Sequence, residues 1–155
     1  MLSQNNIGEI KKTIEEFFRK TTFEVGVESL SQKDQTILIS LKTDEPQILI
    51  GEGGQTLSEI QHLLKAILKR KIASQEVFYV DLDINSYKKK KYEYLKELAK
   101  SVADEVSLTK KEKTLSPMPA HERRIIHLEL AERKDVTTES VGQEPERRLV
   151  IKPYP

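Results

Sequence analysis

The sequence of 155 residues is long enough for one ordinary domain or two small ones, and 33% of its residues are charged. It contains no cysteine, which excludes a disulfide framework, a thiolate nucleophile and a cysteine-based zinc site. The net charge of +1 conceals a division, because acidic side chains outnumber basic ones in residues 1–84 and basic side chains outnumber acidic ones in residues 85–155.

Hydropathy gives no sign of membrane insertion. The N-terminal residues lack the apolar core of a signal peptide, and no stretch approaches the ~20 apolar residues that a membrane helix needs. We therefore expect a cytoplasmic protein.

The first half predicts the order helix, strand, strand, short helix, glycine loop, helix and strand. Apolar residues recur at helical spacing over residues 7–20, and Asn6 followed by Glu9 resembles a capping box at the start of that helix. Alternating apolar residues predict two strands, around residues 23–27 and 37–41. The polar residues between them predict a long hairpin loop.

A short helical turn over residues 45–50 leads into the sequence Gly51-Glu52-Gly53-Gly54. A wide apolar stripe then predicts a helix over residues 55–71, with a second capping signature at Thr56 and Glu59. Alternation over residues 77–84 predicts a strand with Asp81 and Asp83 on its outer face.

The second half predicts two helices and three strands. A long helix over residues 86–108 is followed by a basic loop over residues 109–113, which contains Lys110 and Lys111. A short strand near Leu115 precedes a helix over residues 119–132 that begins at a proline. The closing strands are predicted at residues 136–141 and 147–152, with the turn between them at residues 142–145. We expect the second helix to bury Ile125, Ile126, Leu128 and Leu130.

The glycine loop joins two predicted helices. Glycines let the backbone turn sharply and approach a ligand, and free amides at the start of the next helix suit a phosphate. This is the G-x-x-G arrangement of a KH domain, which clamps single-stranded nucleic acid. The alternative is a tight interhelical turn without a ligand.

The predicted helix 119–132 presents cationic residues at helical spacing. Arg123 and His127 are separated by four positions, so on a helix they share one face and can offer adjacent donors to one ligand. Planar guanidinium groups beside an imidazole suit a phosphate or a flat base. The alternative is a solvated, salt-bridged helix, because several glutamates lie nearby.

These motifs resemble the bacterial Jag family, also called KhpB or SpoIIIJ-associated proteins. The segments that carry the resemblance are I-L-I-G-E-G-G-Q-T-L, P-M-P-A-H-E-R-R-I-I-H-L and V-T-T-E-S-x-G-x-E-P-x-R-R. The resemblance covers roughly residues 7–152 and implies a KH domain followed by an R-x-x-x-H (R-3-H) domain, with Arg123 and His127 as the namesake pair. It also implies binding of single-stranded RNA or DNA, with a role in RNA fate, cell division or envelope synthesis, and a small single-KH protein as a partner.

The predicted fold is therefore α+β, with a type II KH domain at residues 1–84 and an R-x-x-x-H domain at residues 85–155 that has two helices and a three-stranded sheet. One departure from the family pattern is Glu52, a carboxylate in a loop where basic residues are common. It weakens the expected phosphate contact and favours an alternative role as a protein-interaction adaptor. The residues expected to contact RNA are Gly51, Glu52, Gly53, Gly54, Gln55, Lys110, Lys111, Arg123, Arg124, His127, Arg147 and Arg148.

We expect no catalytic residues, no metal, no cofactor and no small-molecule substrate. An enzyme would need a metal cluster or a base–nucleophile pair, and the sequence has only three histidines and no clustered carboxylate motif. Asp81 and Asp83 lack a third ligand, so a solvated strand face is the better interpretation. Three tyrosines among lysines, at positions 87, 92 and 94, suit either base stacking or core packing.

Overall fold

The computed structural model describes residues 4–72 and 77–155 and has a mixed α+β architecture. The chain divides into two compact units, Met1–Lys88 and Lys89–Pro155. The elements are α1 (Gln4–Arg19), β1 (Val25–Lys33), β2 (Thr36–Thr43), α2 (Pro46–Ile50), α3 (Gln55–Lys71), β3 (Tyr79–Ile84), α4 (Tyr87–Thr109), β4 (Lys113–Thr114), α5 (Ala120–Leu130), β5 (Val136–Val141) and β6 (Arg148–Pro153).

The first unit contains a three-stranded sheet in the order β1-β2-β3. β2 pairs with β1 antiparallel and with β3 parallel. The predicted alternation of β3 is confirmed, because Val80, Leu82 and Ile84 are buried whereas Asp81 and Asp83 are not. These residues pack with α1 and α3 side chains such as Ile14 and Leu64 into one core. The order of elements is the predicted one, and α3 has the predicted bounds.

The predicted long hairpin loop is wrong. β1 continues through the polar residues to Lys33, which pairs with Thr36, so that only Asp34 and Gln35 form the turn. Asp34 adopts a φ of 53°, a conformation that aspartate tolerates in tight turns. A strand with an exposed face needs no apolar residues on that face, and its backbone hydrogen bonds form regardless of side-chain polarity. The polar composition of this half of the strand therefore gave no signal that predicted a strand.

Both predicted capping boxes are also wrong. α1 already includes Gln4, so Asn6 lies inside the helix rather than at its cap. The residue that caps α3 is Gly54, in a left-handed conformation and without a side-chain hydrogen bond. Thr56 and Glu59 therefore lie within α3. The glycine loop itself, rather than a capping side chain, sets where α3 starts.

The second unit has an antiparallel sheet in the order β4-β6-β5. Its core combines residues of α4, α5 and the sheet, including Leu95, Ala99, Ile126 and Ile151. The predicted burial of Leu128 is wrong, because that side chain is 58% exposed. The buried face of α5 instead contains Glu122, Arg123, Ile126 and Leu130.

No helix in the described ranges is both long enough and apolar enough to cross a membrane. Within the same ranges, no three His, Asp or Glu side chains are grouped closely enough to hold one metal ion.

Candidate nucleic-acid interface

The glycine loop has a backbone that only glycine adopts easily. Gly51, Gly53 and Gly54 have φ values of 74°, 59° and 82°, all in the left-handed region. A Cβ atom on Gly51 would lie 2.2 Å from Oγ1 of Thr56, which is far inside van der Waals contact. Glu52, Gly53 and Gln55 are exposed. The loop therefore presents part of its backbone to solvent.

Tyr87 packs against the loop. A Cβ atom on Gly54 would lie 3.2 Å from Cε1 of the Tyr87 ring, so the glycine allows the ring to approach. Tyr87 is half-buried and contacts the core of the first unit. Of the three tyrosines considered for base stacking, this one has a packing role, whereas Tyr92 and Tyr94 are 45% and 57% exposed.

Arg123 lies in the interior of the second unit and is only 7% exposed. Its guanidinium Nη1 donates a hydrogen bond of 2.5 Å to the backbone oxygen of Met118, and Nη2 lies 2.6 Å from Oε1 of Glu144. Nη1 also lies 3.5 Å from the backbone oxygen of Arg147. Arg123 thus joins the segment before α5 to the β5–β6 turn.

The contact with Arg123 affects the ionisation of Glu144. The hydrogen bond that Arg123 donates is the main reason why the pKa of Glu144 lies below its ordinary value of 4.5, against a smaller opposing effect of burial. A charge-assisted hydrogen bond of this kind is stronger than a neutral one. The Arg123 guanidinium is thus engaged inside the second unit, whereas its spacing from His127 predicted two adjacent donors on one open face.

Arg124 and His127 are both exposed on α5. Nδ1 of His127 lies 2.6 Å from Oγ1 of Thr138 on β5, a hydrogen-bond distance that fixes the orientation of the ring. Among the described residues, neither Nε2 of His127 nor the Arg124 guanidinium has a partner. A ligand can therefore reach both groups without displacing an existing contact.

A cavity of about 420 Å³ opens beside the His127 ring. Its lining includes Thr138, Lys134 and Tyr154, the last of which is 58% exposed. An oriented imidazole, an aromatic face and an ammonium group around one cavity provide hydrogen-bonding, stacking and ionic contacts for a planar anionic ligand.

The remaining predicted contacts are distributed around the second unit. Nε of Arg147 donates a 2.9 Å hydrogen bond to Oγ of Ser140, and Nη2 of Arg148 lies 3.6 Å from Glu146. Lys110 and Lys111 are exposed in the loop between α4 and β4, where neither makes an ion pair with a described residue. Arg147 and Arg148 are thus partly engaged, and the two lysines are available to a ligand.

Within the described ranges, only the acidic residues of α5 form the salt bridges that the alternative interpretation, a solvated and salt-bridged helix, predicted on its surface. Glu129 contacts Lys96 at 3.2 Å and Lys100 at 3.4 Å, and Glu122 lies 3.8 Å from Lys91. Burial raises the pKa of Glu129, but the hydrogen bonds and charges of the two lysines outweigh it, and the net direction is downward. The acidic residues of α5 thus pair with lysines of α4, and the exposed Arg124 has no acidic partner among the described residues.

Three residues that shape this surface did not stand out from the sequence as site residues. Thr138 and Glu144 lie within the quoted C-terminal segments, where the positions are visible but their contacts to His127 and Arg123 are not. Tyr154 follows the last strand and carries no motif. Their places beside α5 follow from contacts in the folded domain, with His127 and Arg123 for the first two and around the His127 cavity for Tyr154.

Comparison with known proteins identifies a family for most of the second unit. Residues 93–153 match the R-3-H domain family. A protein named RNA-binding protein KhpB from Clostridium symbiosum is 38% identical over 121 residues, which is 78% of this chain and 54% of that protein. The proteins of the same name from Lactiplantibacillus plantarum and Bacillus subtilis are 38% and 34% identical, over 73% and 79% of this chain.

The chain spans only part of the length of these relatives, namely 34% of the Lactiplantibacillus protein and 59% of the Bacillus protein. The similarity nevertheless extends over most of the chain, beyond the second unit. The chain therefore belongs to the bacterial Jag (KhpB) family and carries an R-3-H domain.

Proposed function

We propose that the protein binds single-stranded RNA without catalysing a reaction, and that the R-3-H domain supplies the principal contact surface. The observation that carries this proposal is the pair of exposed, unpartnered groups on α5, the Arg124 guanidinium and Nε2 of the His127 ring. Relatives that bear the name RNA-binding protein support the same class of ligand. We also propose that the protein regulates the fate of the RNA that it binds.

In the proposed mechanism, Arg124 binds a backbone phosphate through its planar guanidinium fork. The His127 ring, oriented by Thr138, donates or accepts a hydrogen bond at Nε2 within reach of the adjoining cavity. Arg123 holds the β5–β6 turn in place and so positions Arg147 at the edge of this surface. Lys110, Lys111 and Arg148 add phosphate contacts that release counterions.

The first unit is proposed to be a type II KH domain, residues 1–84, that contributes a weaker contact. The exposed glycine loop and the residue that follows it, Gln55, would place backbone amides against phosphates, as a G-x-x-G loop does. Glu52 is exposed within the loop and repels phosphate there. Because of this repulsion, we assign the larger share of the binding energy to the second domain, residues 85–155.

Fluorescence anisotropy of a labelled single-stranded 15-nucleotide RNA, measured at two salt concentrations, tests the proposal. We expect salt-sensitive binding by the unaltered chain, and a Kd at least about tenfold higher for the double variant Arg124→Ala with His127→Ala, from two lost charge-assisted contacts. Unlabelled single-stranded DNA and double-stranded RNA, used as competitors, define the specificity. Undiminished affinity of the double variant, with an unchanged Tm, contradicts the proposed surface.

A second candidate function is that of an adaptor that binds another protein, such as a small single-KH protein, through the first unit. Exposed apolar side chains on α2 and α3 favour it, since Ile48 is 56% exposed and Leu63 is 50% exposed. The variant Glu52→Lys separates the two functions. If the loop contacts RNA, this change lowers Kd and steepens the salt dependence by about 0.7 in log–log slope. An adaptor loop leaves the RNA affinity unaltered.

A further inference from the structure

The first turns of α4 in the second unit carry a basic and aromatic surface that does not include the Arg123–His127 motif. Its members are Lys90, Lys91 and Tyr94, which we call the α4 patch. On a helix, positions 90 and 91 lie four and three residues before position 94, so both lysines flank the tyrosine. The core of the unit is contacted by other positions of α4, including Leu95 and Ala99.

The tyrosine of the α4 patch is poorly explained by packing. Tyr94 is 57% exposed and is absent from the core of the second unit. Nζ of Lys91 lies 5.8 Å from the centroid of its ring, within cation–π range. A large aromatic side chain with this exposure is available for stacking.

Some lysines in and near the α4 patch have acidic partners, and Lys90 has none among the described residues. Lys91 lies 3.8 Å from Glu122, and further along the helix Lys96 and Lys100 lie within 3.4 Å of Glu129. Lys90 is exposed and makes no ion pair with any described residue. Lys90 is thus a lysine beside the exposed ring of Tyr94 that forms no ion pair with an acidic side chain in the described part of the chain.

We infer that the α4 patch is a second contact site for single-stranded RNA, with a base stacked on Tyr94 and the adjoining phosphate bound by Lys90. This inference rests on the proposed function and adds a contact to it. Stacking of a base on an aromatic ring tolerates any sequence, and the neighbouring ammonium binds the backbone. A negatively charged membrane or an acidic protein would use the lysines but has no need of the ring, and Glu93 and Glu97 on the exposed side of α4 oppose a broad anionic surface.

The absence of tryptophan from the sequence provides a direct test. In the variant Tyr94→Trp the indole is the only tryptophan in the chain, and a base stacked on it quenches its fluorescence. We expect quenching during titration with the single-stranded 15-nucleotide RNA, over the concentrations at which anisotropy reports binding. Binding without quenching overturns the inference while leaving the proposed function standing.

Two further variants test the energetics in the full chain. Tyr94→Ala should raise Kd about fivefold or more, and Lys90→Gln should reduce the log–log salt slope by about 0.7, with Tm unchanged because both side chains are exposed. The matched control is Lys100→Gln on the same helix, where Glu97 and Glu129 already engage the lysine. We expect it to leave both quantities unaltered.

The outcomes separate the two proposals. If the unaltered chain fails to bind RNA at any salt concentration, both the proposed function and this inference fall. If Lys90→Gln and Tyr94→Ala bind RNA as the unaltered chain does, the α4 patch is not an RNA site. Should Lys90→Gln then lose affinity for polyglutamate, the patch belongs to an acidic protein partner instead.

Discussion

Arg123 occupies an interior position in the second unit, where arginine is rarely found unless it is paired. Its contacts explain why it is tolerated: the guanidinium donates to Met118 and Arg147 backbone oxygens and pairs with Glu144. Removing it leaves a buried carbonyl oxygen and a carboxylate without their donor. The residue therefore stabilises two connecting segments at once.

We predict that Arg123→Ala lowers the free energy of unfolding by about 2 kcal/mol, from the lost charge-assisted hydrogen bonds, and Tm by roughly 10 °C. Thermal unfolding followed by circular dichroism measures this. The control is Arg124→Ala on the next position of α5, where the side chain is exposed and the change in stability should stay within about 0.5 kcal/mol. Equal melting temperatures for the two variants would show that Arg123 has no positioning role.

Glu144 gives the same contact a pH dependence. Because Arg123 holds the pKa of Glu144 below 4.5 in the folded protein, its ionised form stabilises folding at pH values above the unfolded pKa. That contribution is lost as the pH falls through the lowered folded pKa. We predict that the difference in Tm between the unaltered chain and Glu144→Gln is largest near pH 7 and shrinks toward zero well below pH 4.5. A difference that is constant with pH would mean that the carboxylate charge contributes nothing.

At the scale of elements, the glycine loop determines where α3 begins. Gly51 has no room for a side chain, because a Cβ atom would lie 2.2 Å from Oγ1 and 2.8 Å from Cβ of Thr56, whereas a Cβ atom on Gly53 would meet no atom within 4 Å. Both residues have positive φ. At both positions a residue other than glycine would have a strained backbone. At Gly51 its side chain would also clash with Thr56.

We predict that Gly53→Ala costs about 1 kcal/mol of stability, the usual penalty of a left-handed alanine, and that Gly51→Ala costs at least twice as much. Urea titrations at one pH compare them directly. Since Thr56 lies inside α3, the Gly51 variant should also disturb the start of that helix. Similar costs for the two variants would show that the loop adjusts to relieve the clash.

The sequence predicted elements well where side chains decided the structure. The stripe of α3 and the alternation of β3 are strong periodic signals, and both elements were predicted correctly. Prediction failed where backbone pairing decided, as in the second half of β1, whose polar side chains face solvent. Burial of Arg123 was equally hidden, since only tertiary contacts with Met118 and Glu144 show which side of α5 faces inward.

At the scale of the whole molecule, basic and acidic residues nearly cancel, and the net charge is +1. Non-specific attraction of such a chain to nucleic acid is weak, so binding has to come from local groups of uncompensated cations. In the second unit these include Arg124, the lysines of the α4–β4 loop and Lys90 of the α4 patch. Their effect on affinity should depend on position rather than on the total charge.

Two variants that remove one positive charge each test this dependence. Arg124→Gln removes an unpaired cation from the proposed surface, and Lys33→Gln removes an exposed cation from β1 in the first unit. Both reduce the net charge equally. We predict that Arg124→Gln weakens RNA binding and lowers the log–log salt slope by about 0.7, whereas Lys33→Gln changes neither quantity. Anisotropy titrations across a salt series measure both, and equal losses of affinity would mean that total charge, rather than the α5 surface, governs binding.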